Sequence, residues 1–194
     1  MIPLRILNVV GGPRDLIKIA PIMDVMLRSR EIDPILVHTG QPDMDILSGV
    51  VLRDMKLPEP GIVLDVQSGS HAKQTAAIMD RFEDAVAETD PDLVVVIGDV
   101  NSTVAASMTA VKKGVPVAHV EAGLRSYDRQ DPKEINRVMT DSISDFLFVS
   151  EESAVDNLIC EGISPSRIHF VGSVLIDTLF ANSERIREDR KSVV

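Results

Sequence analysis

The sequence predicts an α/β protein built on a doubly wound, mostly parallel sheet of about seven strands. Short apolar runs alternate along the chain with longer amphipathic runs, which is typical of repeated βα units. The apolar fraction is 44%, yet there is no Trp, one Tyr and five Phe, so the core must consist of Val, Ile, Leu, Ala and Met. That composition favours a parallel sheet covered by helices on both faces.

The first half of the chain contains three predicted βα units. The predicted strands are residues 4–10, 34–39 and 62–66, and the predicted helices are residues 16–30, 43–55 and 71–88. A glycine-containing loop, residues 11–15, joins the first strand to the first helix. Pro58 and Pro60 mark the turn before the third strand. In the third helix the apolar residues fall at helical spacing: Ile78, Met79, Phe82, Ala85 and Val86.

The second half continues the alternation. The predicted strands are residues 92–97, 116–120, 146–149 and 168–171, and the predicted helices are residues 101–113, 132–145, 151–161 and 176–190. Residues 93–97 are apolar throughout, so this strand is expected at the centre of the sheet, buried on both faces. Asn101 or Ser102 is expected to cap the following helix and Gly114 to close it. Pro132 suits the first turn of the next helix.

Composition excludes several function classes. The net charge of −10 disfavours non-specific binding to nucleic acid or to an anionic membrane. The chain begins with a strand-like segment that lacks a signal-peptide pattern, and no apolar run is long enough to cross a membrane, so we expect a cytoplasmic protein.

Cys160 is the only cysteine, so no intrachain disulfide can form. We expect it to be buried as a small hydrophobe.

Several common motifs of nucleotide and hydrolytic chemistry are absent from the sequence. The loop after the first strand lacks GxGxxG, and the chain contains no GxxxxGK[ST], GxSxG or HExxH. These absences weigh against hydride transfer, against NTP hydrolysis by a P-loop and against serine hydrolysis.

Polar side chains are concentrated after the two predicted central strands. Asp99 follows one strand and Glu121 the next, so the two carboxylates are expected to lie close together and to supply an acid and a base. Arg125 and Arg137 offer fork-shaped donors for phosphate oxygens. The residue pattern alone also allows Asp99 to be a helix cap and Arg137 to lie on a solvated helix face.

A metal site is an alternative for part of this region. His119 and Glu121 alternate to one face of their strand, but the sequence offers no third ligand at metal spacing, so we predict no metal. His38 and His169 are single histidines in predicted strands and are expected to be structural.

Five segments together resemble the non-hydrolysing UDP-N-acetylglucosamine 2-epimerases. They are residues 68–75 (SGSHAKQT), 98–103 (GDVNST), 119–125 (HVEAGLR), 132–137 (PKEINR) and 171–177 (VGSVLID). Their order and spacing agree with the family along essentially the whole chain. HVEAGLR at a strand end, with GDVNST one βα unit earlier, argues against a weaker alternative, half of a different GT-B enzyme such as a glycosyltransferase.

The resemblance implies a GT-B architecture, in which two Rossmann-like domains enclose the active site. It also implies inversion at C2 of the sugar of UDP-N-acetylglucosamine, with neither NAD nor a metal as cofactor. The C2 proton leaves as UDP departs from C1, and UDP adds back to the resulting glycal after protonation on the opposite face. Family members are commonly homodimers.

The motif match also implies roles for particular residues. Asp99 and Glu121 correspond to catalytic acidic sites of the family. Polar sites around the bound sugar nucleotide correspond to Lys18, Gln41, Arg125 and Arg137.

Three loops depart from the family pattern. Where the family usually has Gly-Thr-Arg-Pro, this chain has GGPR at residues 11–14, so its arginine is displaced by one position. Where the family usually has Thr-Gly-Gln-His, this chain has TGQP at residues 39–42, so Pro42 replaces a residue that makes a polar contact with the ligand. Pro-Glu-Glu is PKE at residues 132–134, so Lys133 stands where the family uses a catalytic glutamate. Glu134 matches the second glutamate and points to a different helix face, so we do not assign the catalytic role to it.

The resemblance covers about half of a family member. Residues 1–171 are expected to form the N-terminal Rossmann-like domain, and residues 172–194 to begin the linker and helix toward an absent C-terminal UDP-binding domain. The polar final helix is expected either to start that second domain or to fold back onto the first. The leading hypothesis is an epimerase half that folds but does not epimerise alone. The alternative is a non-catalytic relative that binds a sugar nucleotide or a partner protein.

Overall fold

The computed structural model describes residues 2–40, 45–184 and 186–187. Its strands are β1 (Leu4–Val10), β2 (Ile32–His38), β3 (Ile62–Val63), β4 (Leu93–Ile97), β5 (Val117–Ala122), β6 (Phe146–Val149) and β7 (Ile168–Phe170). Its helices are α1 (Pro13–Arg28), α2 (Asp45–Asp54), α3 (His71–Thr89), α4 (Asn101–Lys112), α5 (Pro132–Ile143), α6 (Glu152–Cys160) and α7 (Val174–Ala181). The strands form one parallel sheet in the order β3-β2-β1-β4-β5-β6-β7, which confirms the predicted fold class.

Two apolar layers cover the central strands, one on each face of the sheet. Leu7 and Val94 face one layer, where Phe82 of α3 is fully buried. Ile6 and Val95 face the other layer, which α1 and α2 cover. The alternation of neighbouring residues between the two layers follows from the two-residue period of a strand. As predicted, β4 lies at the centre of the sheet.

The predicted bounds of β1 and β6 coincide with the observed ones, and other elements differ for local reasons. Helix α1 begins at Pro13, not at residue 16, because the fixed φ of proline suits the first turn. Strand β3 ends at Val63, since Asp65 has a φ of +50° that breaks the extended conformation. Strand β5 continues past the predicted end at residue 120, through a register shift at Glu121.

The predicted cap of α4 was wrong. The N-cap is Val100, so neither Asn101 nor Ser102 holds that position. The hydroxyl of Ser102 lies 2.9 Å from that of Thr39 and joins the loops after β4 and β2. Gly114 follows α4 with a φ of +77°, as expected of a glycine that closes a helix.

Helix α7 packs against α1. Its Thr178 Oγ1 donates to the Ile17 carbonyl of α1 at 2.8 Å. The prediction of a polar helix was wrong for this part, because four large apolar side chains are exposed on α7: Leu175, Ile176, Leu179 and Phe180. Residues 185 and 188–190 of the predicted final helix lie outside the described residues.

The prediction of a buried Cys160 was also wrong, since its side chain is exposed. Helix α6 buries Ala154 and Leu158, which are four positions apart on one face. Cys160 follows Leu158 by two positions and therefore lies on the other side of the helix. No helix among the described residues is both long and apolar enough to cross a membrane.

Candidate active site

The sheet order places a crevice beyond the carboxyl ends of β1 and β4. From β1 the chain proceeds toward β3 at one edge, and from β4 it proceeds toward β7 at the other. Such a switch point is where ligands bind in doubly wound sheets. Gly11 lets the two loops meet there, because a Cβ at this position would lie 2.6 Å from Ser102 Oγ.

Lys18 and Glu121 form an ion pair at this crevice. Lys18 Nζ lies 2.5 Å from Glu121 Oε2, and the side chains are 18% and 11% exposed. Glu121 has a φ of +66°, a conformation that a residue with a side chain adopts only at a cost. Strained backbone of this kind is concentrated at functional sites, where surrounding contacts maintain it.

Asp99 lies at the end of the neighbouring strand, in contact with α5. Arg137 Nη1 donates to Asp99 Oδ2 at 2.6 Å, and Lys133 Nζ lies 3.9 Å from Asp99 Oδ1. Asn136 donates to the Asp99 carbonyl at 3.0 Å. The Asp99 side chain remains 27% exposed, so one carboxylate is both anchored by cations and open to the crevice.

Asp15 is a third carboxylate of the crevice, which the sequence did not single out. It is buried, and its Oδ2 accepts from the Gly11 amide at 2.9 Å. Burial raises the pKa of Asp15 to about 6, the Gly11 amide and Lys18 oppose that rise, and Asp99 and Glu121 add to it. Since both predicted catalytic carboxylates influence Asp15, all three belong to one electrostatic cluster.

Arg125 occupies a different environment from Arg137. Its side chain is 1% exposed and lies 2.7 Å from Asp141 Oδ2, and it donates through two nitrogens to both oxygens of Glu161. These contacts raise its pKa although burial acts in the opposite direction. The arginine therefore joins β5, α5 and α6 inside the protein, and its predicted role as a substrate ligand stays a prediction.

Asp141 is the centre of that buried network. Its carboxylate contacts His119, Gly123 and Arg125, and none of its side chain is exposed. Burial acts to raise the pKa of Asp141, but His119 and Arg125 outweigh it and lower the pKa below its ordinary value. Nothing in the sequence marked Asp141, because its partners come together only when α5 packs on β5.

Glu134 shapes the loop that follows β5. Its carboxylate accepts from the amides of Ser126 and Tyr127 and from Arg137, and the residue is 2% exposed. Burial acts to raise the pKa of Glu134, and these hydrogen bonds lower it overall. Glu134 therefore holds the loop after β5 through its carboxylate.

The remaining predictions concern Gln41, Pro42 and a metal. Gln41 and Pro42 lie outside the described residues. Both ring nitrogens of His119 have protein partners, Asp141 and the Gly98 carbonyl, so this histidine is not aimed at a ligand. Within the described ranges there is no group of three or more His, Cys, Asp or Glu side chains arranged to hold a metal ion.

Comparison with known proteins shows the family to which the chain belongs. A family model described as UDP-N-acetylglucosamine 2-epimerase matches residues 25–194. The enzyme of that name from Methanocaldococcus jannaschii is 38% identical over 195 residues, which cover 97% of this chain and 53% of the relative. A UDP-2,3-diacetamido-2,3-dideoxy-D-glucuronate 2-epimerase from Pseudomonas aeruginosa is 35% identical over 184 residues, which cover 94% of this chain and 52% of the relative.

Solved structures give the same answer. The crystal structure of the Methanocaldococcus jannaschii enzyme in complex with UDP-GlcNAc and UDP matches with a TM-score of 0.91 and 36% identity, over 98% of this chain and 54% of that chain. A lipopolysaccharide outer core galactosyltransferase, 17% identical with a TM-score of 0.63, shares the fold alone. The chain spans about half the length of the curated relatives it matches. The chain belongs to the UDP-N-acetylglucosamine 2-epimerase family and corresponds to the N-terminal half of a family member.

Proposed function

We propose that this chain supplies the N-terminal half of the active site of a UDP-sugar 2-epimerase. The observation that carries the proposal is the pairing at the crevice. Asp99 lies two residues after β4, and Glu121 lies one residue before the end of the neighbouring strand β5. Asp99 contacts Arg137, and Glu121 contacts Lys18. Paired carboxylates in one cleft suit the removal and return of a proton, and neighbouring cations suit an anionic leaving group.

The proposed reaction begins when a carboxylate takes the proton from C2 of the sugar. The electrons of the C2–H bond form a C1=C2 double bond, and the C1–O bond breaks so that UDP leaves with its electron pair. A second acid returns a proton to C2 on the opposite face, and UDP adds back to C1. Atoms and electrons balance without any further reactant. Asp99 and Glu121 are the proposed proton carriers of this half.

The sugar belongs to a class that two relatives share by name. The archaeal relative is named for UDP-N-acetylglucosamine and the Pseudomonas aeruginosa relative for UDP-2,3-diacetamido-2,3-dideoxy-D-glucuronate, and both sugars carry an acetamido group at C2. We therefore propose a UDP-2-acetamido sugar as the substrate, with UDP-N-acetylglucosamine as the first choice. Offering both sugar nucleotides to the complete protein distinguishes them.

A second Rossmann-like domain is part of the proposal, with residues 1–171 as the first domain and residues 172–194 leading toward the second. The half-length match to the relatives and the exposed apolar side chains of α7 support it. The test is to add a matching C-terminal half and to follow UDP-N-acetylmannosamine formation. We expect turnover from the pair and none from the 194-residue chain alone. No turnover from a folded, associated pair would contradict the proposal.

Lys133 supports a second candidate function, a non-catalytic relative that binds a sugar nucleotide. Its ammonium lies 3.9 Å from Asp99 Oδ1, where the family pattern has a glutamate. In the complete protein, Lys133→Glu distinguishes the two functions. Turnover by the natural protein rules out the second candidate function. The second candidate is supported if the natural protein binds the sugar nucleotide without turnover and the Lys133→Glu variant turns it over.

The proposed function also includes an oligomeric state and a cellular location. We propose a cytoplasmic homodimer. A mainly apolar groove of about 510 Å³ between α3, α4 and α5 supports a second copy as the occupant, and Met79, Met108, Ile135 and Met139 contribute to its lining. Light scattering should give twice the monomer mass, and Met139→Glu should yield a monomer. The single cysteine is compatible with a reducing compartment.

A further inference from the structure

A buried histidine and aspartate connect the two turns that carry Asp99 and Glu121. His119 Nε2 lies 2.9 Å from the carbonyl oxygen of Gly98, the residue before Asp99. Asp141 Oδ2 accepts from the amide of Gly123, two positions after Glu121, at 3.0 Å. Between them, His119 Nδ1 lies 2.6 Å from Asp141 Oδ1. One continuous chain of hydrogen bonds therefore spans both strand ends.

The partners of this chain specify where its protons lie. A carbonyl oxygen only accepts hydrogen bonds, so His119 Nε2 must donate to Gly98. Asp141 Oδ2 contacts two donors, the Gly123 amide and the Arg125 guanidinium, and this cationic partner helps to keep Asp141 ionised, so Asp141 Oδ1 accepts from His119 as a carboxylate oxygen. His119 Nδ1 must then donate as well. A ring that donates from both nitrogens carries a positive charge.

Charge balance agrees with that assignment. Neither His119 nor Asp141 has any side-chain exposure, and Arg125 is 1% exposed, so an uncompensated charge here would be costly. With a charged His119, the two cations His119 and Arg125 face the buried carboxylate of Asp141 and the carboxylate of Glu161, which is 34% exposed at the edge of the network. The network is then neutral, and every group has a partner of opposite sign.

We propose that His119 is a buried imidazolium and that, with Asp141, it is a positioning pair for the two candidate catalytic carboxylates. The pair sets the position of Asp99 through the Gly98 carbonyl and that of Glu121 through the Gly123 amide. Neither residue of the pair needs to touch the substrate. The positioning part of this inference rests on the proposed function, whereas the protonation state of His119 does not.

Nitrogen NMR of the histidine rings tests the protonation state in the 194-residue chain. The chain has four histidines, and His119→Gln assigns the His119 signals by their disappearance. We expect both ring nitrogens of His119 to carry a proton at neutral pH. A ring with a single proton would overturn the proposal, whatever the activity of the protein.

Asp141→Asn is the matched variant, because its amide has nearly the shape of the carboxylate. The amide nitrogen can donate to His119 Nδ1 while the amide oxygen accepts from Gly123. His119 should then lose its Nδ1 proton and keep the one that it donates to Gly98. A His119 ring that keeps both protons in a folded Asp141→Asn protein would contradict the role of Asp141. If that variant does not fold, the spectrum of the natural chain decides alone.

Positioning is tested by kinetics in the complete two-domain protein. We expect Asp141→Asn to lower kcat by about tenfold or more with KM changed less than about twofold. The control is Asp145→Asn, which alters a carboxylate that accepts from the Val117 amide at the other end of β5, at 2.9 Å. It should leave kcat within about twofold of the natural value. Equal losses in both variants would overturn the positioning role. If the natural protein has no turnover, the proposed function fails while the NMR result still stands.

Discussion

Lys18 Nζ lies 2.5 Å from Glu121 Oε2, although 103 positions separate the two residues in the sequence. The pair joins the first turns of α1 to the irregular end of β5. Glu121 occupies the left-handed region of backbone conformation, which is costly for any residue with a side chain. The fold thus holds a candidate catalytic carboxylate in a strained conformation and places a cation against it.

The strain at Glu121 is measurable with two substitutions. Both Glu121→Gly and Glu121→Ala remove the carboxylate, but only glycine accepts a φ of +66° without cost. We expect the glycine variant to be more stable than the alanine variant by about 1 kcal/mol in urea unfolding. In the complete protein both variants should lose turnover by a factor of at least about 100.

Asp84 provides the control for that comparison, since it is exposed in the interior of α3. There the order should reverse, with the alanine variant more stable than the glycine variant by about 1 kcal/mol. The same order at both positions would mean that Glu121 is not strained.

Asp15 should make stability depend on pH in a defined window. Its pKa is about 6 in the folded protein, against an ordinary 3.8. Between these values the folded protein binds a proton that the unfolded chain does not, so the contribution of Asp15 to the free energy of unfolding falls as pH rises. The loss of stability is complete only about one unit above pH 6, and it amounts to at most about 3 kcal/mol.

Asp15→Asn removes this titration and keeps an oxygen that accepts from Gly11. The variant should gain stability relative to the natural protein as pH rises from about 4 to 6.5, by at most about 3 kcal/mol. Other carboxylates titrate in both proteins and cancel in the difference. Chemical unfolding at several pH values measures it, and a difference independent of pH would refute the assignment.

Arg125 should matter to stability more than an exposed arginine does. Arg125→Met leaves the buried Asp141 without its guanidinium partner, and we expect a loss of about 3 kcal/mol in the free energy of unfolding. Arg28→Met is the control, because its ion pair with Asp24 is exposed and should be worth less than about 1 kcal/mol. Similar losses for the two variants would show that the buried network does not stabilise the fold.

Gly11 should tolerate no side chain. Gly11→Ala would place a Cβ 2.6 Å from Ser102 Oγ and disturb its contact with Thr39, so we expect a loss of about 1–3 kcal/mol in thermal or chemical unfolding. Gly49 lies in α2, and among the described residues no atom apart from its chain neighbours and its own helix backbone lies within 4 Å of where a Cβ would stand, so Gly49→Ala should stabilise by up to about 1 kcal/mol. A neutral Gly11→Ala would disprove close approach of the two loops.

The fold was largely predictable from the sequence because its signals are local. Apolar runs such as Leu93–Ile97 and the helical spacing of Ile78 and Phe82 identify strands and helices without knowledge of their partners. Bounds were missed where backbone conformation departs from regular structure. A positive φ ends a strand near Asp65 and distorts a strand at Glu121. Neither position is a glycine, so the sequence does not indicate the positive φ.

The candidate site was predictable only in part, because the partner of each charged side chain depends on tertiary contacts. Asp99, Glu121, Lys18 and Arg137 do lie together beyond β1, β4 and β5. Arg125 looked equally suited to a phosphate, but it is held by Glu161, 36 positions away, and by Asp141. Asp15 was missed because its buried position depends on how α1 packs against β4.

Deuterium incorporation at C2 of the sugar tests the central claim most directly. The complete two-domain protein would be incubated with UDP-N-acetylglucosamine in deuterated water, and the C2 position of the product followed by proton NMR. If Asp99 and Glu121 exchange the C2 proton with solvent, the UDP-N-acetylmannosamine formed should carry deuterium at C2, and Glu121→Gln should abolish its formation. Product that keeps its original C2 proton, or unchanged turnover in Glu121→Gln, would contradict the account.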